Sequence, residues 1–493
     1  MHTAFGDPDY GYLLNSLLIL EGRAPVHVDH PGTTVQILGA LVIRVAYLFQ
    51  NSTYDLVDSV LLYPYFYLYW ISTALVVVLA LSVLYFGRNL SRSGHPWWIV
   101  LASQSAPLLL PPSWIYLTRV CPEILTVAFA ILVAALVIPF DRQPWRFRKT
   151  VLVGIALGAG IASKINFLPL VALLILSRSP RNIFIGFGAC LASFAFFTFP
   201  IWSEYQRLLG WLTGIFFHSR NYGLGAPGII PTGETIHRNF FFLWDNIRAY
   251  FFLLLLIPLA LINSVLERKR PFDLWPYLVT TLILLVQFLM VLKQVAERYL
   301  LPTVAIWAVL ISQVLHLPNK VTTRAIALGI ALVIVSAALQ EGFSKWWQIA
   351  SSYPYAEISA RELNDKAATI SGCGTIYAPV VSAIEFPLYS GDLATNGYFT
   401  PRLQRLYPDT IFYDIYPGQF RSFAQPLKLE EVKSIVAKKK CYLLRASKQI
   451  LAKEIRFMNG TKAEYLGEVK HPFQLTPILE KMFEGLYRIE KIY

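Results

Sequence analysis

The sequence predicts a mainly α-helical, polytopic membrane bundle that ends in a small α/β domain, and three observations carry that prediction. The chain is 55% hydrophobic with a mean hydropathy of +0.50, too apolar for a soluble globular class. Stretches such as 75–85, 124–140 and 251–262 are apolar without strand alternation and without the polar face of a surface helix. From Gln340 onward the apolar runs shorten and charges of both signs intersperse.

The elements follow in order. Asp7-Pro8 reads as an N-cap and first helical position, with a short helix to about Leu20 that Glu21-Gly22-Arg23-Ala24-Pro25 ends. Pro31 opens a second helix, Thr33 to about Phe49, apolar enough to touch a bilayer and polar enough, through Gln36 and Arg44, to lie in its interface. Residues 1–60 form an outer-face loop. Residues 61–340 are the transmembrane domain, with spans at about 61–86, 96–112, 119–140, 181–200, 248–266, 273–292, 299–317 and 324–340. Residues 150–176 are a further pair of half-helices broken at Ser163-Lys164. Trp97-Trp98 and Trp346-Trp347 suit interfacial belts.

The loops 87–95, 141–149, 177–182, 267–271 and 319–324 are short and rich in Lys or Arg. All five reach the cytoplasmic side only if 150–176 enters the membrane and returns. That parity puts residues 1–60, the 113–118 turn, the 201–247 loop, the 293–298 turn and the 341–493 domain on the extracytoplasmic face. It also starts the chain outside, which is read as a first helix missing upstream in preference to a translocated tail. In the 341–493 domain, strands are expected at 374–380, 410–414 and 441–445, and helices at 354–368, 427–440 and 472–484.

A net charge of +13 would suggest nucleic acid in a soluble protein, but the cations sit in those loops, so no nucleic-acid partner is expected. Cys121, Cys190, Cys373 and Cys441 form no metal-ligand spacing; Cys373 and Cys441 each open a strand and could pair, although buried free thiols are the expectation.

The residues that could carry chemistry lie on the outer face. Carboxylates beside a bilayer are costly and mark a site. Asp7 and Asp9 precede the first helix, and Asp29-His30 follow it. Each acid alone is more often a helix cap than a base, but two acidic clusters flanking one helix fit a general base for transfer to a hydroxyl or amine. Lys293 and Arg298, with Tyr299 beside them, oppose the positive-inside trend and suit a lipid phosphate; snorkelling and a Glu297 pair are the alternative. In the 217–228 loop, His218 and Arg220 could bind acceptor or sugar, or the loop could simply pack on its aromatics. Lys164 is assigned a structural role. No Ser-His-Asp order, HExxH motif or metal-ligand cluster supports a hydrolase.

In order, Asp7-Pro8-Asp9-Tyr10, Asp29-His30-Pro31-Gly32, Pro122-Glu123, the glycine-rich 154–164 segment ending in Lys164, and Arg298-Tyr299-Leu300-Leu301-Pro302 resemble the GT-C superfamily of glycosyltransferases. Within it, family 39 and the bacterial dolichyl-phosphate-mannose-protein mannosyltransferase-like proteins are nearest. The resemblance spans about residues 5–340. It departs at Asp-Pro-Asp for Asp-Glu, and at Gly32 for the second proline of a His-Pro-Pro motif. It implies inverting transfer from a polyprenyl-phosphate-linked sugar to a glycan, lipid or protein acceptor on the outer face. Asp7 or Asp9 would be the base, Arg298 and Lys293 would engage the donor phosphate, and a divalent metal is an open question. The alternative is a non-catalytic protein that binds or translocates lipid-linked glycans. A secondary transporter would want inverted repeats and midplane charges, and neither is seen.

Overall fold

The computed structural model describes all residues except 1–7, 139–144, 219–224, 226, 260, 262–274, 316–320, 371, 379–380, 415–417, 448–455, 460–461, 466–472, 482–483 and 493. It is helical with a C-terminal sheet and divides into two units. One comprises 28–35 and 72–347, the other 1–27, 36–71 and 348–493.

In the 28–35 and 72–347 unit, apolar helices lie beside one another. Pro180–Phe197 and Trp275–Lys293 are long and apolar enough to cross a membrane, as is Pro64–Arg92, whose first turns belong to the other unit. The expected 96–112 span is instead broken into Trp97–Gln104, a short 3-10 turn and Pro111–Tyr116. Pro107, Pro111 and Pro112 each remove a backbone donor, so a continuous helix cannot form there. The expected 201–247 loop is also corrected: it contains the helices Tyr205–Phe217 and Gly233–Asn246. The latter meets Arg248–Leu259 at a 96° bend. At that bend the Glu341 carboxylate accepts from the Arg248 and Ala249 N–H groups at 3.2 and 2.6 Å, satisfying donors that a helix start leaves open.

The break at Lys164 is present. Phe147–Ser163 is followed by Ile165–Ser177, a 3-10 helix, with Lys164 extended between them. Seventeen residues at α rise and thirteen at 3-10 rise both give about 26 Å, so the arms match in length. The second arm returns along the first. Phe167 lies against Gly160, whereas Leu174 and Thr150 both face Gly186. Pro180–Phe197 then runs back up beside the first arm with Gly154 against the Gly186 carbonyl and Gly158 against that of Cys190. A Cβ at Gly158 would stand 2.2 Å from the Cys190 oxygen, so this close helix contact requires glycine. Asn89 donates to the Ala135 carbonyl, Lys149 to that of Val137 and Asn182 to that of Trp145. Three of the basic connections therefore share one end of the unit, and Lys164 is at the other.

In the other unit, Asp9–Leu20 is buried on nearly all sides, as an apolar helix must be. It packs on Glu385–Leu393, where a Cβ at Gly391 would stand 2.9 Å from the Tyr10 carbonyl oxygen. The helix starts at Asp9, with Pro8 in the capping position expected of Asp7. Leu41, Val45, Leu48 and Phe49 form an exposed apolar stripe on and just past Thr33–Tyr47, as an interfacial helix requires. Asp55 caps Leu56–Leu62 through the Asp58 N–H, and Arg402 and Arg405 pair with Asp55 and Asp58.

The C-terminal sheet has strands β1 (Cys373–Tyr377), β2 (Ile411–Asp414), β3 (Gln419–Ser422), β4 (Gln425–Pro426), β5 (Cys441–Ser447), β6 (Arg456–Asn459), β7 (Lys462–Tyr465), β8 (Phe473–Glu480) and β9 (Glu484–Ile492). The large sheet runs β4-β3-β2-β1-β5-β9-β8, with β1 parallel to β2 and β5, and β6-β7 pair separately. Within the helix expected at 472–484, Phe473–Glu480 is strand: Pro477 is accommodated on the edge strand β8, where the register slips. Gln340 marks no break in structure, since Val321–Thr369 is one helix of 49 residues. Contrary to the expected free thiols, Cys373 and Cys441 form a disulfide across directly paired positions of β1 and β5, with a Cα separation of 4.5 Å. Parallel pairing places both strand-opening cysteines side by side, a register the sequence alone does not state.

Candidate functional site

Four chain segments converge at the Lys164 end of the 28–35 and 72–347 unit. Glu123 enters as the second residue of Pro122–Val137, whose proline sets the helix start. Lys164 projects from the hairpin tip and forms an ion pair with Glu123, both side chains being almost wholly buried. Arg298 and Tyr299 belong to the 3-10 turn Glu297–Thr303, which follows an extended Ala296. The Arg298 Nε is 3.6 Å from the Glu123 Oε1, and its Nη1 donates to the Tyr116 hydroxyl at 3.2 Å. The Lys164 ammonium lies 4.9 Å from the Tyr299 ring centroid.

The arrangement is held from behind. The Tyr299 carbonyl accepts from Asn166 at 2.8 Å and Gln287 at 2.6 Å, both buried amides, so the turn carrying Arg298 is anchored to two helical elements. The Tyr299 hydroxyl is 3.2 Å from His30 Nε2, and the His30 ring meets Trp211 edge to face at 4.6 Å. His30 and Gly32 both have positive φ, 65° and 67°. Proline cannot adopt φ of 67°, so Gly32 builds a turn that a His-Pro-Pro motif could not. Thr34 bonds Ser163 and Thr33 donates to the Ala162 carbonyl, fixing this turn to the hairpin tip.

Lys164 and Arg298 against Glu123 leave one net positive charge. The Arg298 side chain keeps 28% of its surface exposed while its counter-charge is buried. A partly exposed guanidinium flanked by two tyrosines can grip a phosphate oxygen pair and donate hydrogen bonds to it.

Of the residues expected from sequence, the structure brings together His30, Arg298 and Tyr299, with Asp29 next to His30 in a half-buried turn. Lys293 donates to the Phe216 carbonyl at the end of Tyr205–Phe217, and His218 Nδ1 is 3.0 Å from the Gly225 carbonyl. Asp9 is buried in the other unit. Asp7 and Arg220 lie outside the described residues. Lys164, assigned a structural role, is a member of the cluster, and Tyr116 and Trp211 were not foreseen. Glu123 was visible as an acid opening an apolar segment, a costly placement that needs a cation. Among the described residues, no group of three or more His, Cys, Asp or Glu could hold a metal ion.

No protein-family model and no curated protein matches the chain. Solved structures do. ArnT from Cupriavidus metallidurans, bound to undecaprenyl phosphate, is 10% identical with a TM-score of 0.50, over 98% of this chain and 93% of ArnT. Its apo form gives 11% and 0.49 over the same shares. The oligosaccharyltransferase AglB from Archaeoglobus fulgidus, in complex with an inhibitory peptide and a dolichol phosphate, gives 12% and 0.40, over 91% of this chain and 66% of AglB. Helices able to span a membrane, the C-terminal α/β sheet and the likeness to ArnT along nearly the whole length agree: this chain has the fold of ArnT.

Proposed function

We propose that the chain is a membrane glycosyltransferase that takes a sugar from a polyprenyl-phosphate-linked donor and passes it to an acceptor on the extracytoplasmic face. The observation that carries this is the Lys164–Glu123–Arg298 cluster, a cationic site at the end of its unit opposite the basic connections. ArnT, which shares the fold, was solved with undecaprenyl phosphate, a lipid of the donor's kind. In this reading the acceptor hydroxyl or amine attacks the anomeric carbon and gives its proton to a carboxylate base, for which the sequence offers Asp7 or Asp9. The bond to phosphate breaks, and the charge gathering on the polyprenyl phosphate meets Arg298, with Lys164, Tyr116 and Tyr299 behind it. Lys293, His218, Arg220, Asp29 and His30 are proposed, from the sequence, as contacts for donor or acceptor. Positive-inside counting places the basic connections in the cytoplasm. The Cys373–Cys441 disulfide favours the C-terminal domain outside, where disulfides persist.

The test is complementation of a strain lacking the gene, read by mass spectrometry of its glycolipids and glycans. One sugar addition should be missing in the deletion, restored by the parent gene, and not restored by Arg298→Ala. One of Asp7→Asn and Asp9→Asn should also fail. If both acid variants restore the sugar while Arg298→Ala does not, the chain binds or translocates lipid-linked glycans without catalysing transfer.

A further inference from the structure

The unit of 1–27, 36–71 and 348–493 contains a cavity of about 360 Å³ that the phosphate site does not use. Leu18, Gly22, Arg23, Ala24 and Val26 form one wall, and Thr395 and Tyr398 the other. Each wall is set by a fully buried polar side chain. Asn15 accepts from the Val26 and His27 N–H groups at 2.8 and 3.0 Å, and donates to the Ala394 carbonyl at 3.1 Å, so one amide ties both walls together. Asp392 accepts from the Phe399 and Ala424 N–H groups and from the Thr395 and Thr400 hydroxyls. That shapes the turn through Asn396 and Gly397, both at positive φ, which presents Tyr398. Walls fixed by saturated buried groups keep the cavity from collapsing.

The chemistry at the mouth is specific. The Arg23 guanidinium lies 4.6 Å from the Tyr398 ring centroid, and no described residue takes a hydrogen bond from it. The nearest acid in sequence, Glu21, is 3.7 Å from Arg402 and so has its own cation. Stacking holds Arg23 in place while leaving its N–H fork for a ligand. Leu18, Ala24 and Val26 offer an apolar wall to the C–H face of a pyranose. Tyr398 and Thr395, whose hydroxyl is held by Asp392, line the same space, and Gly22 lets a ligand approach the backbone. At the low end of small-molecule pockets, roughly 300–1,000 Å³, the cavity admits a sugar and no polyprenyl chain.

We infer that this cavity binds a sugar carrying an acidic group, with Arg23 on the acid and the Leu18–Val26 wall under the ring. The inference stands whether or not the chain transfers a sugar.

The experiment is calorimetric titration of the full chain, purified in detergent, with glucose 6-phosphate, glucuronate, glucose and inorganic phosphate. Glucose 6-phosphate or glucuronate should bind, the better of the two identifying the acidic group, and glucose should bind at least about tenfold more weakly. Arg23→Gln should lower that affinity by about tenfold or more, the loss expected for a charge-assisted hydrogen bond. Ala24→Leu, which fills the cavity and keeps the charge, should do the same. Arg298→Ala should leave it unchanged. Absence of binding by both acidic sugars, full affinity in both Arg23→Gln and Ala24→Leu, or inorganic phosphate binding as tightly as glucose 6-phosphate would each overturn the inference.

Discussion

Replacing Glu123 with Gln should unfold the chain more easily and, at the same time, make the proposed phosphate site around Arg298 more attractive to anions. Glu123 and Lys164 are both almost wholly buried, with side-chain exposures of 4% and 2%. Removing one member of such a pair leaves the other charge uncompensated, at a cost of about 3–5 kcal/mol. Glu123 also stands 3.6 Å from the Arg298 Nε. At an effective dielectric constant of about 20, Coulomb's law gives that contact an upper bound of roughly 5 kcal/mol. Loss of the carboxylate takes the cluster from one net positive charge to two, so it should bind polyprenyl phosphate more tightly even as the fold weakens. Thermal unfolding of the detergent-purified protein, followed by tryptophan fluorescence at neutral pH, measures the first effect, and titration with undecaprenyl phosphate the second. The double variant Glu123→Gln/Lys164→Met should regain most of the lost stability, because two neutral side chains of similar volume need no partner. A Glu123→Gln protein within about 1 kcal/mol of the parent, or a double variant no better than the single one, would refute the buried pair as described.

Three further outcomes can be checked. Gly158→Ala puts a methyl group 2.2 Å from the Cys190 carbonyl oxygen and should destabilise by about 1–3 kcal/mol, seen as a lower unfolding midpoint. Cys441→Ser opens the link to Cys373, 68 positions away in sequence. Loop entropy puts the loss at up to about 4 kcal/mol, and alkylation without reductant should label Cys373 only in the variant. Asp55 has a pH signature. Partial desolvation pushes its carboxyl up, but the Asp58 and Val57 N–H groups and Arg402 outweigh that and hold it below the usual range. A lowered folded pKa contributes stability above the unfolded value, near 3.9, and loses it as pH falls through the folded one. The unfolding midpoint of Asp55→Asn should therefore fall less than the parent's between pH 5 and pH 3, by an amount worth about 1 kcal/mol at this exposed cap.

Much of this protein is written in local patterns. Apolar run length marks Trp275–Lys293 and Pro180–Phe197, the Gly22 and Pro31 punctuation bounds the first two helices, and Ser163-Lys164 shows the hairpin break, because each depends only on neighbours in the chain. The motif order pointed to a helical membrane fold of the kind ArnT has. Where the sequence misled, a distant partner decided. Residues 472–484 have a helix's length and polarity, yet Phe473–Glu480 forms a strand, because β9 pairs with β5 and leaves β8 an edge on which Pro477 fits. The cysteines at 373 and 441 pair because parallel β1 and β5 begin at the same level. Lys164 is given a structural role by its sequence context, but only the structure shows that its partner is Glu123, 41 residues earlier. Periodicity and breakers act over a few residues and can be read from one chain. Ion pairs, strand register and the walls of a cavity join residues far apart in sequence, and only the packed structure says which of them meet.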